Sequence, residues 1–181
     1  GGIGIRLNEW PFSLPSNKNI NFLFVGRIVS EKGIGEFIEA ATIIKKKYPS
    51  TYFTALGEIE ERERKFNKTY LNEIEHQGIV SFPGHVEVIK YYKDCSVFVL
   101  PSYREGVPRS TQEAMSIGRP IITTNAPGCK DTVLDEENGF LVAVGNTEEL
   151  VIAMEKFILN PDLILSMGQQ SRTLAEERYD V

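Results

Sequence analysis

The chain is poor in residues that staple or metallate small folds: 181 residues hold two cysteines, two histidines and one tryptophan. Cys95 and Cys129 cannot build a disulfide framework, so a reducing cytosol is the expected setting. His76 and His85 leave few imidazoles for a metal site. Basic residues are not in excess. Twenty Lys and Arg against 25 Asp and Glu give a net charge of −5, which argues against nucleic acid or a membrane surface as the main partner. No run of about 18 apolar residues occurs, so no segment reads as a membrane span. The opening GGIGIRLNEW has no basic stretch followed by an apolar one, so it does not read as a signal peptide. It also has no initiator Met, and the chain is expected to be part of a longer one.

What is present suits one globular domain. Hydrophobic residues make up 41% and aromatics 10%, and the length falls within roughly 100–200 residues per domain. Residues 1–19, with Gly1, Gly2, Gly4, Pro11 and Pro15 and no sustained period, read as a linker or hinge segment; residues 20–181 read as the domain. Within it, short apolar runs alternate with helical patterns. The runs are 21–25, 52–56, 79–82, 96–100, 120–124 and 139–142. Helices are expected at 34–48, where Ile34, Phe37, Ile38, Ala41 and Ile44 share a face, across the charged stretch 58–77, and at 87–94. Further helices are expected at 108–117, from Asn146 or Thr147 onward, and from Pro161. Strand–helix alternation, with strands apolar on both faces, predicts an α/β, Rossmann-like doubly wound parallel sheet. It would have about six strands, with about seven helices on both faces.

In such sheets ligands sit beyond the carboxyl ends of the strands. Two of those loops carry charge in an informative order. Gly26-Arg27-Ile-Val-Ser-Glu-Lys32-Gly33 sets two cations before a helix N-terminus, which suits a diphosphate; the alternative is a surface Arg and Lys around a turn. The order matches neither GxxxxGK[ST] nor the dinucleotide glycine fingerprint, which disfavours a dehydrogenase. Pro101-Ser-Tyr-Arg-Glu105-Gly-Val-Pro-Arg-Ser-Thr-Gln-Glu113 brackets a helix start with two carboxylates. Pro108 suits the first helical position. The backbone N–H groups of Arg109 and Ser110 are then open to an anion, and a carboxylate can accept from vicinal hydroxyls. Each carboxylate also has a plainer reading: Glu105 as a helix-dipole or capping residue, Glu113 as part of a solvated helix face.

These motifs together resemble the C-terminal donor-binding domain of retaining GT-B glycosyltransferases of family 4, group 1. Gly26-Arg27…Lys32-Gly33 is similar to their diphosphate loop. Glu105 and Glu113 are similar to the E-x7-E pair. Pro101 to Val133 and Glu137-Asn-Gly-Phe-Leu-Val142 are similar to members serving capsule, O-antigen and exopolysaccharide synthesis. The resemblance runs from about Gly1 to the C-terminus. It implies catalytic roles for Glu105, Arg27 and Lys32, with the cations neutralising the donor diphosphate and Glu105 bonding the donor sugar. Gly26, His85, Val86, Gly106, Val107, Arg109, Ser110 and Glu113 complete the implied donor site, with Glu113 on the ribose hydroxyls and the backbone at His85 and Val86 beside the base. Many relatives have Gly where this chain has Pro108, which donates no N–H.

The resemblance further implies sugar transfer with retention from a nucleotide diphosphate sugar, UDP being the expected nucleotide. The acceptor, a glycan or polyprenyl-linked sugar, would be held by an N-terminal domain absent from this chain. No metal or other cofactor is expected, and no nucleic acid. The setting would be cytoplasmic, with at most peripheral contact of the whole enzyme with the inner face of the membrane. Rival readings are a GT-B nucleotide-sugar epimerase, a phosphorylase, for which no pyridoxal-phosphate lysine context is evident, and a non-catalytic nucleotide-binding or receiver-like module. His76 reads as exposed and Cys95 as a core residue. Cys129 lies near the site without a base to activate it. The run 58–65 reads as a solvated helix start, or as the rim of a base pocket.

Overall fold

The computed structural model describes residues 4–15, 18–60 and 62–181. Five strands, β1 (Asn21–Val25), β2 (Tyr52–Leu56), β3 (Val97–Leu100), β4 (Ile121–Thr124) and β5 (Gly139–Val142), form one sheet in the order β2-β1-β3-β4-β5. Every pairing is parallel, with Phe22 facing Phe53 and Val97, and Phe98 facing Ile121. The helices are α1 (Ile34–Lys47), α2 (Lys68–His76), α3 (Val88–Asp94), α4 (Arg109–Ile117), α5 (Thr147–Leu159) and α6 (Asp162–Arg178), with three short 3-10 helices among the described residues. Helix α1 packs beside α5, while α3 and α6 pack on α4, so both faces of the sheet are covered. Strands β3 and β4 are wholly buried, as expected of a parallel sheet sandwiched by helices.

Three sequence expectations need correction. The run 79–82 is not a sixth strand. It contributes one bridge, Thr54 to Ser81, with hydrogen bonds from Ser81 N to Phe53 O and from Ala55 N to Ser81 O, each 2.9 Å. Left-handed Gly78 stops it on one side, and Pro83, which has no N–H, on the other. Residues 58–60 and 62–67 are not helical either: α2 begins only at Lys68, where Asn67 caps it by accepting from Tyr70 N. Pro108 lies one position earlier than expected, at the N-cap of α4.

Part of the expected linker, including Gly1 and Gly2, lies outside the described residues. Residues 4–15 run along α4 and α6. Gly4 N donates to Gln112 Oε1 (2.8 Å), Ile5 N to Tyr179 O (2.7 Å) and Ser13 N to Ile117 O (3.1 Å). Ile5 and Leu7 are buried. Among the described residues, no helix is long and apolar enough to cross a membrane.

Candidate functional site

The strand order reverses between β1 and β3, and the loops leaving β1, β2 and β3 diverge around that point. Backbone bonds lock the first two loops together: Gly26 N donates to Leu56 O and Ile28 N to Glu58 O, each 2.9 Å. The third is tied to the first through Glu31 O, which accepts from Tyr103 N (2.9 Å) and Ser102 Oγ (3.1 Å). Gly33 allows the approach of the first loop to the third, and Gly128, after β4, allows that of a fourth loop to the third. Gly33 (φ 83°) and Gly128 (φ 82°) are left-handed, and an added Cβ would overlap the carbonyl oxygen of Pro101 or of Glu105, respectively.

This frame brings Lys32 onto Glu105. Their Nζ and Oε1 lie 2.5 Å apart, with the side chains only 20% and 10% exposed. Arg27 is more open. It bonds Glu60 Oε1 through Nη1 at 2.7 Å and lies 3.9 Å from Glu31. The hydrogen bond to Glu60 holds the guanidinium above its ordinary range and the Glu60 carboxyl below its own. Beside Arg27 opens a cavity of about 570 Å³, lined by Gly26, Arg27, Leu56, Gly57, Glu58 and the segment Gly84–Val88. The sequence-predicted Gly26, Arg27, His85 and Val86 therefore share one cavity, and His85 is exposed at it.

The second carboxylate belongs to the first turns of α4. The N–H groups of Arg109, Ser110 and Thr111 find no acceptor among the described residues, so this helix end retains its positive pole. Glu113, whose side chain is 12% exposed, accepts from Arg109 Nε at Oε1 (3.2 Å) and from the Tyr92 hydroxyl at Oε2 (3.0 Å). Burial raises its pKa, against those two hydrogen bonds, which favour the ionised form. Gly106 is exposed and Val107 half-buried on the loop between the two carboxylates.

Sequence reasoning missed Glu60 and Glu63. Glu63 accepts from Ser30 N at 3.1 Å, so both acids of the loop after β2 grip the loop after β1. The available signal was complementary charge on two loops that a parallel β1–β2 pair must set side by side. Glu58 lines the cavity, in keeping with the rim reading of that run. His76 is exposed and Cys95 buried, as expected. Burial pushes the Cys95 thiol up to about 12 and raises that of Cys129, so neither is a ready nucleophile.

The family model for "Glycosyl transferases group 1" matches residues 8–174. The chain belongs to the group 1 glycosyl transferases. It is 32% identical to the capsular polysaccharide biosynthesis glycosyltransferase CapM of Staphylococcus aureus, over 97% of this chain and 49% of that protein. The C-terminal domain of the group 1 glycosyl transferase LpcC of Francisella tularensis superposes with a TM-score of 0.83 at 23% identity, covering 98% of this chain and all of that one. HepE of Anabaena, solved with UDP-glucose, superposes at 0.84 with 22% identity, over 98% of this chain and 52% of that one. This group 1 chain thus has the Rossmann-like α/β fold of GT-B C-terminal domains. It spans about half the length of the curated relatives it matches.

Proposed function

We propose that this chain is the donor-binding half of a retaining glycosyltransferase that moves sugar from a nucleotide diphosphate sugar to a glycan or lipid-linked acceptor in cell-surface polysaccharide synthesis. The observation that supports the reading is a cavity bordered by Arg27 and the His85–Val86 backbone, with the Lys32–Glu105 contact and the open N-terminus of α4, which carries Glu113, on other loops that leave the carboxyl ends of the strands. The base occupies the cavity beside the backbone of His85 and Val86. Glu113 accepts from the ribose hydroxyls. The diphosphate meets Arg27, Lys32 and the N–H groups of Arg109 and Ser110, with Gly106 and Val107 alongside. Glu105 bonds the donor sugar. Negative charge grows on the departing diphosphate in the transition state, and these fixed donors face it. The proposed step therefore draws its charge stabilisation from protein groups rather than a metal. The UDP-glucose complex of HepE supports UDP as the nucleotide. The acceptor would be held by a domain outside this chain, joined through residues 1–19, in a cytoplasmic enzyme.

Calorimetry with UDP, GDP, ADP and UDP-sugars tests this directly. UDP is expected to bind, and Glu113→Ala to weaken it by about 1–3 kcal/mol, the cost of a lost hydrogen bond to a charged group. Sugar transfer by this chain alone is expected to be negligible; robust transfer would overturn the half-site reading. Absence of any nucleotide binding would favour a module of another class.

Glu113 also gives a pH dependence. Its ionised form accepts the ribose hydroxyls, and its folded pKa is raised. UDP-glucose affinity is therefore expected to fall on acidification, beginning at a higher pH than an ordinary glutamate would give. Stability moves the other way at this group. Because the folded pKa exceeds the unfolded one, its contribution is present below the unfolded pKa and lost as pH rises through the folded pKa. Titration calorimetry on the wild type, and the difference in melting temperature between the wild type and Glu113→Gln followed with pH, should show the two opposite trends.

A further inference from the structure

We propose that Tyr92 is a positioning residue of the donor site, its buried phenol setting the Glu113 carboxylate to receive the vicinal hydroxyls of a nucleoside ribose. The inference rests on the donor-site reading above and adds to it a residue from a different element, α3.

The Tyr92 ring is tightly packed. It is fully buried, meets Trp10 edge-on at 5.6 Å between centroids, and lies against Phe98 at 6.0 Å. Its own carbonyl is held by Arg119 Nε (3.2 Å) and Cys95 Sγ (3.2 Å). Only the hydroxyl proton can turn, and it faces two acceptors, Glu113 Oε2 and Ser110 O, both at 3.0 Å. One proton cannot serve both fully. When Glu113 is ionised, the phenol donates to it. When Glu113 carries a proton, that proton can bond the phenol oxygen, and the phenol then donates to Ser110 O. A buried tyrosine hydroxyl needs a partner, and Ser110 O alone would supply one. A carboxylate with little access to water is a costly second partner, which is the mark of a group held for a ligand. The charged and titratable groups facing Glu113 are Arg109 on its own helix and Tyr92 from α3. Arg109 is exposed and bonds only Oε1, so Tyr92 is the fixed one of the two. Held at Oε2, the carboxylate keeps one rotamer and presents its remaining lone pairs to two neighbouring hydroxyls.

The test compares UDP with 2′-deoxy-UDP on the wild-type chain and on Tyr92→Phe, by calorimetry, with thermal melts alongside. The wild type is expected to favour UDP by about tenfold, the worth of one charge-assisted hydrogen bond. In Tyr92→Phe that preference should shrink to about twofold, while deoxy-UDP affinity changes by less than about twofold. An unchanged preference overturns the proposal, and so does an equal loss for both nucleotides, which is what a merely structural tyrosine would give. If UDP fails to bind the wild type, the donor-site reading falls and this inference with it; UDP binding with an unchanged preference overturns this inference alone. Fluorotyrosine placed at position 92 keeps the shape and makes a stronger donor. It should shift the pH midpoint of UDP-glucose binding downward, and no shift would overturn the proposal even where Tyr92→Phe proves poorly folded.

Discussion

Replacing Arg119 with methionine is expected to lower the melting temperature by roughly 10 °C. Arg119 is completely buried. Nε reaches the carbonyls of Tyr92 (3.2 Å) and Cys95 (2.9 Å), and Nη1 those of Ser13 (2.6 Å), Ile117 (3.2 Å) and Gly118 (3.3 Å). Nη2 reaches Lys93 O (2.8 Å) and Ser13 Oγ (3.0 Å). Most of these carbonyls end α3 or α4, where the last turns lack intrahelical donors and carry the negative pole of the helix dipole. One guanidinium thus caps two helices and pins residues 11–15 to them. Methionine relieves the desolvation that lowers the Arg119 pKa, which offsets part of the loss. It also strands several buried carbonyls at about 1–3 kcal/mol each. A net loss of about 3–5 kcal/mol is expected when several buried hydrogen bonds to one charged group are lost together and part of the cost is offset by relieved desolvation. At about 2–4 °C per kcal/mol for a chain of this size, the shift is large. Arg119→Lys, with three donors from a single point, should recover only part of it. A methionine variant melting within about 2 °C of the wild type would show that the carbonyls find other partners.

Arg119 also shows where the sequence stops being legible. In the linear order it is a basic residue after Gly118, in the connection from α4 to β4, and nothing local announces a buried hub. The strands were readable because each apolar run ends at a turn residue: Val25 at Gly26, Leu56 at Gly57, Leu100 at Pro101. A parallel sheet then places the following loops on one edge, so the contact between the loops of Lys32 and Glu105 was legible in the order of the residues. The errors lie where local pattern and tertiary demand diverge. Residues 58–67 have helical composition, yet Glu60 and Glu63 are drawn out to Arg27 and Ser30. Residues 79–82 have strand composition, yet Gly78 and Pro83 leave them too short for more than one bridge. Tyr92 was invisible for a third reason. Its role depends on α3 packing against the first turns of α4, and two helices meeting at a hydroxyl leave no signature of spacing.

The Lys32–Glu105 pair gives the sharpest functional test, because its two halves should respond in opposite directions. Lys32→Ala removes a cation proposed to meet the diphosphate and should weaken UDP binding by about 1–3 kcal/mol, or roughly 5- to 150-fold. Glu105→Gln is expected to do the reverse. In the donor-free molecule the two side chains lie 2.5 Å apart and are largely shielded from water, so the lysine offered to the diphosphate is already neutralised. Binding must exchange one anionic partner for another, and the free energy of the internal pair is subtracted from the affinity. Removing the negative charge at position 105 frees Lys32, and UDP should bind about 3–10-fold more tightly. UDP-glucose should gain less, because the carboxylate proposed to bond its sugar is gone. The double variant should bind UDP like Lys32→Ala alone, since the benefit of Glu105→Gln exists only while Lys32 is present. Salt should compress these differences little, given the pair's burial. If Glu105→Gln binds UDP no more tightly than the wild type, the pair does not compete with the diphosphate, and Lys32 must reach the donor while still bonded to Glu105.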